Sequence, residues 1–294
     1  MTSSYNFKII SDSSCDLPSV TLSKHNIDLV RYYVTIDGGL HYMREYEDIQ
    51  PAELYGLMRA NHIMPKTSLP PIQDYLDVFR PALDNGQDIL CICLTSKFSG
   101  SINSANNAFN LLADEYPDRK IRVFDSRMCT VGQGAIVVQA ARLRDMGYSM
   151  DETCDVLDKV IKRSRIIFTV DSLEYLQRGG RIGKVTAFAG ILLNIKPIIC
   201  MFGGELNPIA KVRGRRKALN EIVNMIEKDI GGDIDSHLMM TVHSDCVDEC
   251  ALIETELIAR MGCEVDYSRV TIGTTIGTHI GPTVVGIGYV PKVA

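Results

Sequence analysis

The sequence predicts an α/β fold: an N-terminal domain with a doubly wound parallel sheet, then an α+β domain with a mixed or antiparallel sheet. In the first half, short and almost continuously apolar runs alternate with segments of helical periodicity. This βαβα order is typical of a parallel sheet covered by helices on both faces. After about residue 165, a Gly-Gly hairpin signal replaces the crossover helix. We therefore expect domains at 1–165 and 166–294.

In the N-terminal half, each predicted strand is apolar and ends in polar residues. In parallel sheets, ligands bind beyond the carboxyl ends of the strands, so the polar residues at 11–14, 95–101 and 125–126 are candidates for a site. The predicted strands lie within 7–18, 27–37, 88–96 and 120–126, and the predicted helices within 48–61, 65–86, 99–116 and 132–147.

The C-terminal half combines a hairpin with further strands and helices. "RIIFTVDSLEYLQRGGRIG" predicts a strand, a helix and a Gly-rich stop, and "IKPIICMFGGELNPIAKV" predicts a hairpin that leads into a long helix. Three more strands are expected in "SHLMMTVHSD", "GCEVDYSRVTIG" and the final "TVVGIGYV". We expect the two domains to meet closely and to leave a ligand tunnel between them.

Composition and charge exclude several classes of protein. The chain has 294 residues, 46% of them hydrophobic, and a net charge of -5, which argues against a surface devoted to nucleic acid. It contains neither an apolar run of roughly 18 residues nor a secretory signal, so we expect a cytoplasmic protein. The nine cysteines include Cys246, three residues after His243, a spacing that a metal site could use. Reduced, unligated cysteines in a cytosolic chain are the stronger interpretation. We expect neither a metal nor another cofactor.

Familiar catalytic signatures are missing from the sequence. "RGGRIGKVT" resembles a phosphate loop, but Val185 follows Lys184 where a Walker A motif needs Ser or Thr. The chain also lacks a Gly-x-Ser-x-Gly elbow, a Gly-x-Gly-x-x-Gly after a strand, and a zinc-type Cys/His cluster. We therefore assign no catalytic residue.

Two loops rich in hydroxyl groups are candidates for ligand binding. In "KTSLPP", Thr67 and Ser68 precede a Pro pair, where they could cap a helix or point into a cleft. In "LTSKFSGSINSA", Ser99 follows the most apolar strand and precedes a helix, whose N-terminus suits an anionic group.

Basic clusters and one histidine complete the candidates. Arg213 lies in "KVRGRRK", which is either a solvated face or a source of one guanidinium that turns inward to an anion. "RGGRIGK" is a second basic patch, where capping of a helix C-terminus is the plain interpretation. His279, in "IGTHIGP", is a buried core histidine or a polar group delivered to a site, since its glycine neighbours allow close approach of a ligand.

Seven segments, in order along nearly the whole chain, resemble the DegV family of bacterial fatty-acid-binding proteins. They are "IISDSSCDLP", "KTSLPP", "LTSKFSGSINSA", "VFDSRMCTVGQG", "DSLEYLQRGGRIG", "IKPIICMFGGELNPIAKVRGRRKAL" and "IGTHIGPTVVGIGYV". The resemblance implies a two-domain protein that encloses a long-chain fatty acid between its domains. It further implies that a separate ATP-dependent kinase subunit phosphorylates the carboxylate to an acyl phosphate for phospholipid synthesis, while this chain itself is not an enzyme.

The resemblance also implies roles for individual residues. Thr67, Ser99, His279 and Arg213 match the positions that contact the fatty-acid carboxylate, with Arg213 better suited to the more highly charged product phosphate. Nearby, the sequence departs from the family pattern at Leu69, Pro71, Ser101 and Thr283. These departures leave open which acyl chain is preferred and what shape the loops have.

The expected partners are the fatty acid and the kinase subunit, with no nucleic acid and room for a transient contact with a membrane surface. Arg178, Arg181 and Lys184 are our hypothesis for the surface on which the kinase docks. Two alternatives remain open at this point. One is a serine-dependent acyl hydrolase that uses Ser99 and His279, and the other is a non-catalytic, lipid-sensing regulatory protein.

Overall fold

The computed structural model describes residues 7–61, 63–188 and 194–293. Its strands are β1 (Phe7–Asp12), β2 (Ile27–Val30), β3 (Tyr33–Thr35), β4 (Met43–Arg44), β5 (Lys66–Ser68), β6 (Asp88–Cys93), β7 (Ile121–Asp125), β8 (Arg165–Thr169), β9 (Ile195–Phe202), β10 (Glu205–Arg213), β11 (His237–His243), β12 (Tyr267–Thr271) and β13 (Val285–Pro291). Its helices are α1 (Ser19–Lys24), α2 (Pro51–Asn61), α3 (Ile72–Asp84), α4 (Ser101–Ala113), α5 (Thr130–Asp145), α6 (Met150–Arg163), α7 (Glu174–Arg178), α8 (Arg215–Ile230), α9 (Val247–Met261) and α10 (Thr274–Ile280).

The predicted parallel sheet is confirmed. Strands β2, β1, β6 and β7 lie side by side in that order, and every neighbouring pair is parallel. All six residues of β1 are buried, and so are the last five of β6, because helices cover both faces of the central strands. The polar residues after β1 and β6 therefore meet at one edge of the sheet.

One predicted strand, at 27–37, divides between two sheets. Its first part is β2, but the chain leaves the parallel sheet at Arg31 and Tyr32, and β3 pairs antiparallel with β4 and β5. Apolar periodicity continues across this break, so the pattern alone cannot show which sheet each part joins. The small sheet brings β5, which carries Thr67 and Ser68, beside β3.

The predicted mixed sheet in the C-terminal half is confirmed as well. It has the order β10-β9-β8-β13-β11-β12, with antiparallel neighbours except for the parallel pair β11 and β12. The expected hairpin joins β9 and β10 at Gly203 and Gly204, both of which have positive φ. The four-stranded sheet uses residues from 7 to 125 and this one residues from 165 to 291, while the boundary between 165 and 166 stays a prediction.

Helix α5 lies between the two large sheets. It packs against β1 and β6 on one side and against β11 and β13 on the other, and nearly every residue in it is buried. A helix that is buried all round needs apolar or small residues on every face, which "GQGAIVVQAA" provides. Its first residue, Thr130, is therefore held between the two halves of the chain.

The structure adds a short helix that the sequence patterns did not predict. Residues 274–280 form α10, which packs against α2, β3, β5 and α7. All nine cysteines are free thiols, and all are buried except Cys246, which is half-buried. Within the described ranges, we find no helix long and apolar enough to cross a lipid bilayer.

Candidate functional site

A cavity lies where the two halves of the chain meet. The space that it encloses, including the part open to solvent, is about 940 Å³. Its apolar wall draws on β8, β9, β10, β11, α10 and the ends of β6 and α5. The apolar lining residues are Leu69, Leu94, Phe98, Cys129, Ile166, Phe168, Leu176, Met201, Leu206, Val242, Ile272, Ile276, Ile280 and Val284.

Few polar groups interrupt this wall, and they include three of the predicted site residues. Thr67, Ser99 and His279 all line the cavity, from β5, the loop before α4 and helix α10 respectively. The other polar side chains that line it are Tyr32, Thr130, Arg181 and Thr275.

The hydroxyl group of Ser99 is oriented by two donors. The Tyr32 hydroxyl donates to Ser99 Oγ over 2.9 Å, and the backbone N–H of Ser101 donates to the same oxygen over 3.1 Å. Burial raises the pKa of Tyr32 well above its usual value, so its hydroxyl keeps the proton that it donates. Because Ser99 Oγ accepts two hydrogen bonds, its own hydrogen is available to a third partner.

Thr67 is oriented in the same way by His279. His279 Nε2 lies 2.8 Å from Thr67 Oγ1, whereas its Nδ1 is buried without a hydrogen-bond partner among the described residues. A buried N–H without an acceptor is costly, so the imidazole hydrogen belongs on Nε2, which then donates to Thr67. Like Ser99, Thr67 thus keeps its own hydrogen for a ligand.

The imidazole of His279 is neutral at neutral pH. Burial, assisted by the positive charge of Arg181, lowers the pKa of His279 to about 4. The charge at this part of the cavity is therefore the guanidinium of Arg181, which donates from Nε to the Phe98 carbonyl at 3.1 Å and from Nη1 to the Gly179 carbonyl at 2.6 Å. Two oriented hydroxyl groups beside one cation suit an anionic oxygen ligand.

The remaining predicted residues lie apart from the cavity lining. Arg213 is exposed at the end of β10 and is not among the described residues that line the cavity, and its predicted contact with a carboxylate stays a prediction. Arg178 and Lys184 are exposed and pair with Glu174 at 2.8 Å and Glu205 at 2.7 Å. Arg181, predicted to lie on the docking surface with them, is half-buried in the cavity wall instead.

Two local interpretations of the sequence are corrected. Thr67 and Ser68 do not cap α3: they lie in β5, and the N-cap of α3 is Pro71, which has no capping side chain. The glycines around His279 serve packing more than access for a ligand, because a Cβ at Gly277 would overlap the ring of Tyr55. That close contact lets α10 lie against α2.

The geometry does not favour a serine hydrolase. Such an enzyme needs a base hydrogen-bonded to the serine nucleophile. Here Ser99 is bonded to Tyr32 and Ser101, while His279 is bonded to Thr67, so the serine and the imidazole are held by different partners.

Comparison with known proteins identifies the family. A family model described as "Uncharacterised protein, DegV family" matches residues 6–292. The chain belongs to the DegV family. It is 34% identical over 282 residues to a DegV domain-containing protein of Streptococcus pyogenes, with 96% of each chain covered. It is 35% identical over 286 residues to one of Caldanaerobacter subterraneus, covering 97% of this chain and 98% of the relative.

Solved structures with the same fold include proteins described as binding fatty acids. A stearic acid-binding protein from Eubacterium ventriosum has 36% identity and a TM-score of 0.92, with 97% of this chain and 98% of the other covered. A fatty-acid-binding DegV family protein from Thermus thermophilus has 29% identity and a TM-score of 0.87, with 97% and 99% covered. DegV of Bacillus subtilis, described as a fatty acid binding protein, has 29% identity and a TM-score of 0.85, with 98% and 100% covered.

Several residues that shape the site in this DegV chain were not predicted from the sequence. Tyr32 lies in a strand-like run, where an aromatic residue is ordinary, and Glu45 is one of many charged residues. Both become notable only in the fold, where Tyr32 reaches Ser99 and Glu45 is completely buried. A fully buried carboxylate is rare and calls for compensating partners, but burial of this kind has no signal in a single sequence.

Proposed function

We propose that this protein binds one long-chain fatty acid in the cavity, with the acyl chain along the apolar wall and the carboxylate at Thr67 and Ser99. The observation that carries the proposal is the pair of hydroxyl groups that line a largely apolar cavity and are oriented by neighbouring donors, Ser99 by Tyr32 and Ser101 and Thr67 by His279. Each hydroxyl then has its own hydrogen to donate to the ligand, which matches a carboxylate, an acceptor at both oxygens.

The energetics favour such a ligand. Each buried methylene contributes ~0.8 kcal/mol, so an acyl chain offers roughly 10 kcal/mol before the costs of association. A buried carboxylate is costly unless it is hydrogen-bonded, and the two hydroxyl donors together with the charge of Arg181 meet that need. Binding is non-catalytic in this proposal.

We further propose that the bound fatty acid is a substrate for a separate ATP-dependent kinase subunit. In that reaction a carboxylate oxygen attacks the γ-phosphorus of ATP, an O–P bond forms, and the bond to the ADP oxygen breaks. The proposal rests on the sequence resemblance and on the absence of phosphate-loop motifs from this chain. The exposed guanidinium of Arg213 suits the phosphoryl group that the kinase subunit would transfer from ATP outside the cavity.

The exposed cations near the cavity wall are the proposed docking surface for that subunit. Arg178 and Lys184 lie on either side of Arg181 in the sequence, and their exposed ion pairs contribute little to stability, which leaves them free to exchange partners. Reversing both charges should reduce formation of acyl phosphate while the dissociation constant for the fatty acid stays the same. Weaker binding of the fatty acid itself would contradict this assignment.

Mass spectrometry tests the central proposal. Protein that is purified and then denatured in organic solvent should release fatty acid in near-stoichiometric amount. After the lipid has been removed, stearate added to the folded protein should raise its melting temperature, because a ligand that binds only the native state stabilises it. A folded sample that yields no lipid and does not respond to any long-chain fatty acid would refute the proposal.

The kinase step has its own test. The loaded protein, mixed with a fatty acid kinase subunit, ATP and Mg²⁺, should yield acyl hydroxamate when hydroxylamine traps the acyl phosphate. Loaded protein alone with ATP should yield none. Hydroxamate from this chain without the kinase subunit would overturn the non-catalytic assignment.

A further inference from the structure

One buried carboxylate, that of Glu45, is connected through hydrogen bonds to both hydroxyl groups of the site. Glu45, directly after β4, is 0% exposed. Its two oxygens accept four hydrogen bonds: from Ser13 Oγ at 2.6 Å, Thr274 Oγ1 at 3.0 Å, the backbone N–H of Thr275 at 2.7 Å and Thr275 Oγ1 at 2.8 Å. These donors come from opposite ends of the chain, so Glu45 joins the loop after β1 to the start of α10.

The first connection leads from Glu45 to Ser99. Ser13 donates to Glu45 and accepts from the backbone N–H of Tyr32 at 3.0 Å. The Tyr32 carbonyl in turn accepts the backbone N–H of Glu45 at 3.0 Å, so Tyr32 is fixed on both sides of its backbone. The Tyr32 hydroxyl donates to Ser99 Oγ.

The second connection leads from Glu45 through α10 to Thr67. The carboxylate accepts from the first two residues of α10, Thr274 and Thr275, where free backbone N–H groups favour a negative charge. His279 lies in the last turn of the same helix and holds Thr67. A displacement at the start of α10 therefore moves the imidazole that orients Thr67.

We propose that Glu45 is a positioning residue that sets the orientation of both Thr67 and Ser99, and so gives the site its preference for a carboxylate head group. Glu45 does not line the cavity and acts through these two connections. This inference rests on the proposed function, since it concerns which head group the fatty-acid site prefers.

Replacing Glu45 by Gln keeps the size of the side chain but removes the charge and one accepting oxygen. Most of the apolar wall, on β8, β9, β10 and β11, lies outside these connections. The variant should therefore bind stearate roughly tenfold more weakly or worse, the scale expected for a lost hydrogen bond to a charged group. Binding of 1-octadecanol, which has the same chain without a carboxylate, should change little. A general loosening of the fold would weaken both ligands alike.

The experiment compares dissociation constants of stearate and 1-octadecanol for the wild type, Glu45→Gln and Glu47→Gln. Glu47 lies in the same segment but is exposed and pairs with Arg31, so its variant should keep the wild-type preference for stearate. Equal weakening of both ligands in Glu45→Gln, or an unchanged preference for stearate, would overturn the inference. Failure of the wild type to bind stearate would instead refute the proposed function.

Two variants that each interrupt one connection keep the test decisive if Glu45→Gln does not fold. Ser13→Ala breaks the connection to Ser99, and Thr274→Val weakens the connection to α10. In double-mutant cycles, the effect of Ser13→Ala on stearate affinity should disappear in a Ser99→Ala background and persist in Thr67→Val. Thr274→Val should show the reverse pattern. Effects that add in every background would contradict the two connections.

Discussion

His279 Nε2 lies 2.8 Å from Thr67 Oγ1, and this hydrogen bond joins residues 212 positions apart in the chain. It brings the last helix, α10, to the small sheet formed by β3, β4 and β5. The cavity is complete only when this contact has formed, because both partners are part of its wall. The proposed carboxylate site is thus a product of tertiary structure and not of any local motif.

Removing the Thr67 hydroxyl should weaken fatty-acid binding more than it weakens the fold. Thr67→Val keeps the shape of the side chain but takes away the donor to the ligand, and a hydrogen bond to a charged group contributes ~1.5–3 kcal/mol, or roughly tenfold to a hundredfold in affinity. Thr67→Ser should restore most of this loss. Titration calorimetry with stearate measures the effect.

Ser68→Ala is the matched control for Thr67, because Ser68 lies in the same strand but does not line the cavity. Its affinity for stearate should equal that of the wild type. Comparable losses in Thr67→Val and Ser68→Ala would show that the strand, and not the hydroxyl, determines binding.

A methyl group at Gly179 should displace His279. A Cβ at this position would overlap Nδ1 of the imidazole and approach the Tyr175 carbonyl to 3.0 Å. We expect Gly179→Ala to lower the affinity for stearate as strongly as Thr67→Val does, since the imidazole could no longer orient Thr67. Gly56→Ala is the control, because Gly56 lies in α2 with open space around it. This variant should keep the affinity of the wild type for stearate. Unchanged affinity in Gly179→Ala would contradict the proposed role of His279.

The sequence predicted most of the large elements of the fold, although not α6, because periodicity and apolar runs depend on local composition. The parallel order of the first sheet and the hairpin of β9 and β10 both follow from such patterns. The break between β2 and β3 was missed because it is set by pairing with distant strands. Helix α10 was missed because "TTIGTHI" has low helix propensity, and packing against α2 and α7 stabilises it instead.

The residues of the candidate site were suggested by their local patterns, but their common role came from the resemblance to a family. Thr67, Ser99 and His279 were candidates in three separate segments, the resemblance joined them in one site, and all three line one cavity. Arg181 was assigned with Arg178 and Lys184 to a hypothetical docking surface, whereas its guanidinium donates to two carbonyl groups in the cavity wall. The orientation of a long side chain depends on neighbours that a single sequence does not identify.

Asp16 should make the stability of the protein depend on pH. Burial, reinforced by the charge of Glu45, raises the pKa of Asp16 from 3.8 to about 8. The native state then binds more protons than the unfolded state between about pH 4 and pH 8. The contribution of Asp16 to the free energy of unfolding is therefore present at low pH and is lost as the pH rises through 8. The free energy of unfolding falls by at most about 1.4 kcal/mol per pH unit from this group.

Urea unfolding of Asp16→Asn at several pH values measures this contribution. The variant has no proton to lose, so its free energy of unfolding relative to the wild type should increase steadily from pH 5 to pH 8 and level off above. A constant difference for Asp16→Asn would mean that its carboxyl group titrates alike in the folded and unfolded states.

Filling the apolar part of the cavity should shorten the preferred fatty acid. Val242, on β11, lines the cavity and is 1% exposed. In Val242→Phe the added ring occupies space that the acyl chain would use, and each methylene that no longer fits forfeits ~0.8 kcal/mol, or roughly fourfold in affinity. Stearate should therefore lose more affinity than shorter saturated acids, in a series from decanoate to stearate.

Met239→Phe is the control, because Met239 lies on the opposite face of β11, in a separate core cluster. Both substitutions overpack a core and should each cost ~1–3 kcal/mol of stability. Only Val242→Phe should change the preferred chain length, and an equal change in both variants, or none in either, would place the acyl chain elsewhere.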